Sequence, residues 1–236
     1  MLPVAILAGG LATRLRPITE KIPKALVDIN GEPFIAHQLR LLQSRGASRV
    51  VLCLGYLGEA VQAWVGDGTR FGLSVQYSFD GDRLLGTGGA LRRALPLLGG
   101  PFFVMYGDSY LPCDLEAIES AFYREGKPAL MTVFRNAGQW DTSNVEFRDG
   151  RIVAYSKRHL TPSMQHIDYG LGVLTPGLFA ESEAEAFDLA ELYERLIRED
   201  RLAAVEAHER FYEVGSFAGL EELREYLKHS GTRRSP

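Results

Sequence analysis

Short apolar runs that alternate with amphipathic stretches constrain the fold of this chain more than any other feature. Runs at 4–7, 50–54, 75–79, 102–106 and 129–134 read as strands. Between them, 34–45, 57–65, 89–94 and 115–126 repeat apolar residues at spacings of three and four, which predicts helices, and Gly46 stops the first. Strand-helix alternation of this kind implies a parallel sheet covered on both faces. With 236 residues, 46% of them apolar, the chain can bury the core of one such domain with insertions.

The pattern changes after Phe134. Segments 144–148 and 151–155 flank Asp149-Gly150, a two-residue hairpin signal, and so predict an antiparallel insertion. A strand at 166–174, a helix at 189–199, a strand at 203–206 and a closing helix at 217–228 follow, the last with Leu220, Leu223 and Leu227 on one face. Residues 230–236 are expected to fray. No internal repeat, low-complexity tract or linker divides the chain.

Charge and composition narrow the function. Lys and Arg total 26 against 30 Asp and Glu, a net charge of −4 that offers no overall attraction to nucleic acid or an anionic membrane. Cys53 and Cys113 fit no metal or redox spacing, which suits a reducing compartment, and Cys53 reads as core filler. There is no signal-like leader and no apolar run of membrane-spanning length, so the expected location is cytoplasmic, without nucleic-acid or membrane partners. The five histidines show no zinc spacing, and Ser109 lacks the G-x-S-x-G setting of a hydrolase nucleophile. Trp64 and Trp140 read as packing residues, Trp140 with the option of bordering a pocket beside the hairpin.

Directly after the first run comes Leu7-Ala8-Gly9-Gly10-Leu11-Ala12-Thr13-Arg14-Leu15-Arg16-Pro17. Glycines in such a turn let backbone N–H groups approach an anion, and Arg14 adds a bidentate phosphate donor. A ligand-free strand-to-helix turn explains Gly9-Gly10 alone equally well. Neither the dinucleotide G-x-G-x-x-G nor the Walker G-x-x-x-x-G-K-[ST] spacing is present. Pro23-Lys24 then places a lysine in a loop able to fold back over the same phosphates.

Ala8-Gly9-Gly10-x-x-Thr13-Arg14-Leu15-x-Pro17 followed by Pro23-Lys24 resembles the signature of the sugar-1-phosphate nucleotidylyltransferases. The likeness continues through Leu85-Gly86-Thr87-Gly88-Gly89-Ala90, Tyr106-Gly107-Asp108, Tyr155-x-Lys157 and Ile167-Asp168-Tyr169-Gly170. It implies a single Rossmann-like, doubly wound α/β domain over residues 1–229, mostly parallel, with an antiparallel sugar-binding insertion. It further implies nucleotide contacts at Leu7, Ala8, Gly9, Gly10, Thr13, Gly86, Thr87, Gly88 and Gly89, and a second metal carboxylate from the late Phe211-Tyr212-Glu213-Val214-Gly215-Ser216 segment. Catalytic cations would be Arg14, Lys24 and Lys157; Asn144, Asp168 and Gly170 would meet the sugar.

Mg2+ is the implied cofactor, held by Asp108 and Glu213. A carboxylate at a strand's carboxyl end suits a metal that bridges phosphates, although isolated aspartates there more often cap turns. Glu213 departs from the family pattern, which has Asp. For Thr87 the alternative role is a helix N-cap, and for Asn144 and Asp168 it is solvated strand edges. The implied partners are an NTP and a sugar 1-phosphate, with the chain a monomer or homodimer. Within the family it looks like short bacterial enzymes acting on heptose 1-phosphate with GTP or N-acetylmuramate 1-phosphate with UTP. Gly55-Tyr56-Leu57 and residues 85–90 lean to the heptose type. The competing reading is a catalytically silent nucleotide-sugar sensor, for which Glu213 is the hint. A nicotinamide oxidoreductase is disfavoured because the second strand ends in Leu54-Gly55-Tyr56 rather than an acidic residue.

Overall fold

The computed structural model describes residues 1–10, 13–181 and 184–231. In its first half, β1 (Val4–Leu7), β2 (Asp28–Ile29), β3 (Glu32–Pro33), α1 (Phe34–Ser44), β4 (Arg49–Leu54), α2 (Gly58–Val65) and β5 (Ser74–Phe79) follow in order. Next come α3 (Gly86–Leu98), β6 (Phe102–Tyr106), β7 (Ser109–Tyr110), α4 (Leu115–Glu125) and β8 (Ala129–Arg135). The remainder holds β9 (Val145–Arg148), β10 (Arg151–Tyr155), β11 (His166–Leu174), α5 (Leu189–Arg198), β12 (Leu202–Ala207), β13 (Tyr212–Glu213) and α6 (Phe217–Gly231).

Nine strands form one sheet in the order β10-β9-β11-β6-β1-β4-β5, with β8 also on β11 and β12 on β8. Strands β6, β1, β4 and β5 are mutually parallel, as are β8 and β12. Strand β11 runs antiparallel between β6 and β8, so the chain returns from the β9–β10 hairpin into the middle of the sheet.

Alternation along β1 explains the two layers. Val4 and Ile6 join a core with Ile35, Leu39, Val61 and Ile118 from α1, α2 and α4. Ala5, between them, faces Leu91 and Ala94 of α3 and Leu192 and Leu196 of α5. The sheet is therefore wrapped on both faces. A third cluster joins Leu15, Val27, Ile29, Phe34, Tyr110 and Val214 to Leu220 and Leu223 of α6. This cluster pins the turn after β1 and the β7–β13 ladder to the same apolar patch.

Helix α3 begins at Gly86, so the glycine segment is its first turn rather than a loop ahead of a helix starting at 89. Glycine's poor helix propensity hides that turn from the periodicity. Packing compensates: a Cβ on Gly88 would lie 2.2 Å from Phe187, and one on Gly89 2.5 Å from the Glu185 carbonyl. Helix α6 runs to Gly231; the frayed tail expected at 230–236 falls mostly outside the described residues.

Candidate active site

A cleft of about 230 Å3 opens at the carboxyl ends of the parallel strands, lined among others by Leu7, Ala8, Gly9, Gly10, Lys24, Gly86, Thr87, Tyr106 and Asp108. Small residues are frequent in its lining, with Gly9, Gly10, Gly86 and Gly107 beside Ala8, Ala25 and Ala90. Gly9 backs onto Gly55, where a Cβ would come 2.9 Å from the Gly55 nitrogen, while nothing lies within 4 Å of one on Gly10. Gly107 likewise crosses β1 closely, its N–H bonded to the Leu7 carbonyl at 2.9 Å. Gly9 and Gly107 thus serve strand packing, and Gly10 faces open space.

The second glycine segment divides in the same way. Gly86 and Thr87 line the cleft, whereas Gly88 and Gly89 do not, since both direct their N–H groups to the Phe187 carbonyl, at 2.9 and 3.4 Å. Thr87 is not a cap of its own helix; its Oγ1 accepts the Leu189 N–H at 2.7 Å, at the start of α5. Thr13 opens a short 3-10 turn over Thr13–Leu15, anchored by the fully buried Leu15.

Beside the cleft stands an ion pair. Lys24 Nζ lies 3.0 Å from Asp108 Oδ2. The β7–β13 ladder pairs Ser109 with Glu213, and the Val214 N–H donates to the Asp108 carbonyl at 2.8 Å, which sets Glu213 next to Asp108. The Glu213 carboxyl is pushed up to about 7, by burial first and then by the negative charges of Asp108 and Asp141, against the pull of Arg14 and Lys24. Arg14 lies outside the cleft lining. It is exposed, with Nη2 only 3.3 Å from where a Cβ on Gly215 would stand.

A second constellation occupies the β6–β10–β11 side. Lys157 Nζ sits 5.3 Å from the centroid of the Tyr106 ring and 3.6 Å from Asp188 Oδ1. Asp168 precedes a break in the β11–β8 register at which Gly170 has φ +90. Such bulges re-aim neighbouring side chains. Here the Gly170 N–H donates to Asp168 Oδ1 at 3.0 Å, and the Tyr106 and Tyr155 hydroxyls approach Oδ2 at 3.4 and 3.5 Å. Asn144 Oδ1 accepts the Asp168 N–H at 2.9 Å. Asn144 and Gly170 accordingly position Asp168. Burial raises the Asp168 carboxyl, opposed by the Gly170 N–H, Lys157 and the two tyrosines.

The profile of the nucleotidyl transferase family matches residues 4–143, the span carrying the whole lining of the cleft, Lys24 and Asp108 included. The chain belongs to that family. A Neisseria meningitidis relative, N-acetylmuramate alpha-1-phosphate uridylyltransferase, is 30% identical across 93% of this chain and 95% of its own. D-glycero-alpha-D-manno-heptose 1-phosphate guanylyltransferase of Campylobacter jejuni is 27% identical across 89% and 93%. In fold, the chain is similar to HddC from Yersinia pseudotuberculosis, solved with GMP-PN, at a TM-score of 0.79 and 23% identity over 96% of this chain and 100% of that one.

In this nucleotidyltransferase, four residues to which the sequence reading gives no role of their own meet the same region. Tyr106 and Tyr155 are apolar-strand residues by pattern, yet both hydroxyls turn to Asp168. Asp80, 7% exposed, ends β5 in the cleft lining, and its Oδ2 accepts the Leu85 N–H at 3.3 Å. Asp188 caps α5 through the Ala190 N–H and also meets Lys157. Each is visible only once the strands are assembled. Trp140 is 45% exposed and carries the Arg210 guanidinium 3.4 Å over its ring, so it is a surface stacking partner rather than a core residue. Cys53 is core, as its pattern indicates.

Proposed function

We propose that the chain joins an NTP to a sugar 1-phosphate, giving a nucleotide sugar and pyrophosphate, with GTP and heptose 1-phosphate the first pair to try. The observation that carries this reading is Tyr106, which lines the nucleotide cleft and also lies beneath Lys157 and against Asp168. One ring thus joins a site for an NTP to a second cationic position for another phosphate.

In the reaction, an oxygen of the sugar phosphate forms a bond to the α-phosphorus. The bond from that phosphorus to the bridging oxygen breaks, and pyrophosphate leaves with the electron pair. The attacking oxygen is already ionised near neutral pH, so no general base is required. Catalysis reduces to alignment and charge neutralisation. Gly9, Gly10 and Thr13 place main chain against the triphosphate, Arg14 and Lys24 offset its charge, and Lys157 orients the attacking phosphate.

The donor set suits Mg2+. Asp108 and Glu213 are two carboxylates held together at a cost that Glu213's raised carboxyl reports, and Mg2+ takes one or two carboxylates plus phosphate and water. When bound, the ion would neutralise phosphoryl charge. Asp168 accepts a sugar hydroxyl.

The experiment is a pyrophosphate-release screen that crosses the common ribonucleoside triphosphates and dTTP with a panel of sugar 1-phosphates in Mg2+. Release with one pair well above the rest is expected. No release across the panel would defeat the reading.

A further inference from the structure

The charges around the second constellation bear on which sugar enters it. Lys157 is held between Asp188, at 3.6 Å, and the Tyr106 ring. Among the described residues, it is the cation whose charge acts on Asp168. Two cations beside Asp108 and Glu213 are engaged away from Asp168. Lys24 is paired with Asp108 at 3.0 Å, and Arg14 lies against Gly215 with its charge acting on Glu213. Two other cationic side chains of this half are paired away from Asp168: His166 meets Glu206 at 3.3 Å, and Arg210 pairs with Glu222 while stacking on Trp140.

A triphosphate and a sugar phosphate already bring more negative charge than Arg14, Lys24 and Lys157 can balance, which is why the site also needs a metal. What remains facing the sugar is acidic. Asp168 presents a half-buried carboxylate whose Oδ2 has only two long hydroxyl contacts, at 3.4 and 3.5 Å, so it retains strong acceptor capacity. A hydroxyl or amide N–H satisfies that oxygen. A carboxylate on the sugar instead meets a like charge in a partly desolvated place, which costs affinity steeply.

We infer that the sugar substrate carries no anionic group besides its 1-phosphate, because the Asp168–Asp188 wall offers acceptors and Lys157, the cation paired with Asp188 and acting on Asp168, is taken by that phosphate. The inference rests on the proposed transfer reaction and names its substrate class. It separates the two relatives described above: a heptose is neutral, whereas N-acetylmuramate bears a lactyl carboxylate.

The test uses matched pairs that differ by one carboxylate, N-acetylglucosamine 1-phosphate against N-acetylmuramate 1-phosphate and glucose 1-phosphate against glucuronic acid 1-phosphate, together with heptose and mannose 1-phosphates. Pyrophosphate release is followed with the preferred NTP. The best substrate is expected to be neutral, with carboxylate-bearing sugars lower in kcat/KM by about a hundredfold or more. A best substrate bearing a carboxylate overturns the inference while leaving the transfer reaction intact; no release with any sugar overturns the reaction itself. Asp168→Asn keeps an acceptor but removes the charge, and is expected to shrink the neutral-to-acidic ratio at least tenfold. An unchanged ratio in the folded variant removes Asp168 as the discriminating group. The wild-type ratio stands as a test even if that variant does not fold.

Discussion

Around the carboxyl end of β1, between β4 and β6, backbone meets backbone, with Gly9 pressed against Gly55 and Gly107 against Leu7. Across the cleft, between β6, β10 and β11, the chain builds a wall from side chains: Asp168 held by Asn144, Gly170, Tyr106 and Tyr155. The materials differ because the ligands differ. A triphosphate is a chain of oxygens that backbone N–H groups and cations can meet at any base, whereas a sugar is told apart by hydroxyl geometry that only shaped side chains read. Changes on the first side should therefore damage binding and chemistry for every substrate, and changes on the second should alter which sugar is used.

The largest effect is expected at the border of the two halves. Lys24→Ala, checked for an unchanged thermal melt, should lower kcat by roughly 10² to 10³ for every sugar tested. Near-full activity would remove Lys24 from the mechanism. Gly55→Ala puts a Cβ 2.7 Å from the Gly9 carbonyl oxygen, a backbone atom just past the end of β1. Urea unfolding should show a loss of about 1–3 kcal/mol, and nucleotide binding should weaken with it.

On the side-chain wall, Asn144→Ala leaves the Asp168 N–H without its acceptor. The sugar KM should rise about tenfold while nucleotide Kd stays put, matching one lost hydrogen bond. If nucleotide Kd moved equally, the two walls would not be separable. Glu213 lies between them. Its carboxyl stands at about 7 in the folded chain against an ordinary 4.5, so the native state holds the extra proton between those values. Without metal, stability should fall as pH rises through that window, and Glu213→Gln should flatten the fall in urea titrations at several pH values. The smallest effect belongs to Gly10→Ala: open space surrounds that position, and unfolding should change by no more than about 0.5 kcal/mol.

The same contrast explains what could be read in advance. Strands 102–106 and 166–174 match the fold residue for residue, the first because a buried parallel strand carries an uninterrupted apolar run, the second although His166, Asp168 and two glycines interrupt it. The glycine-lined side is legible in the sequence because close backbone approach requires glycines. Even there, sequence does not separate Gly10, which faces the cleft, from Gly88 and Gly89, which pack on the 185–187 segment about a hundred residues later in the chain. Tyr155 and Asp188 were hidden for a related reason: one looks like a strand residue and the other like a helix cap, and their second roles arise from contacts across the fold. The Asn30-Gly31 turn, with φ of 56 and 90, joins the two-residue strands β2 and β3, which are too short to give a periodic signal.

The reaction direction can be tested without knowing which base or sugar is preferred beyond the pair found in the screen. The NTP is supplied with phosphorus label at either the α or the γ position, and the products are separated. Transfer to a sugar 1-phosphate across the Tyr106 border predicts α label in the nucleotide sugar and γ label in pyrophosphate. Label from the γ position in a sugar product, or release of it as orthophosphate alone, would contradict the account.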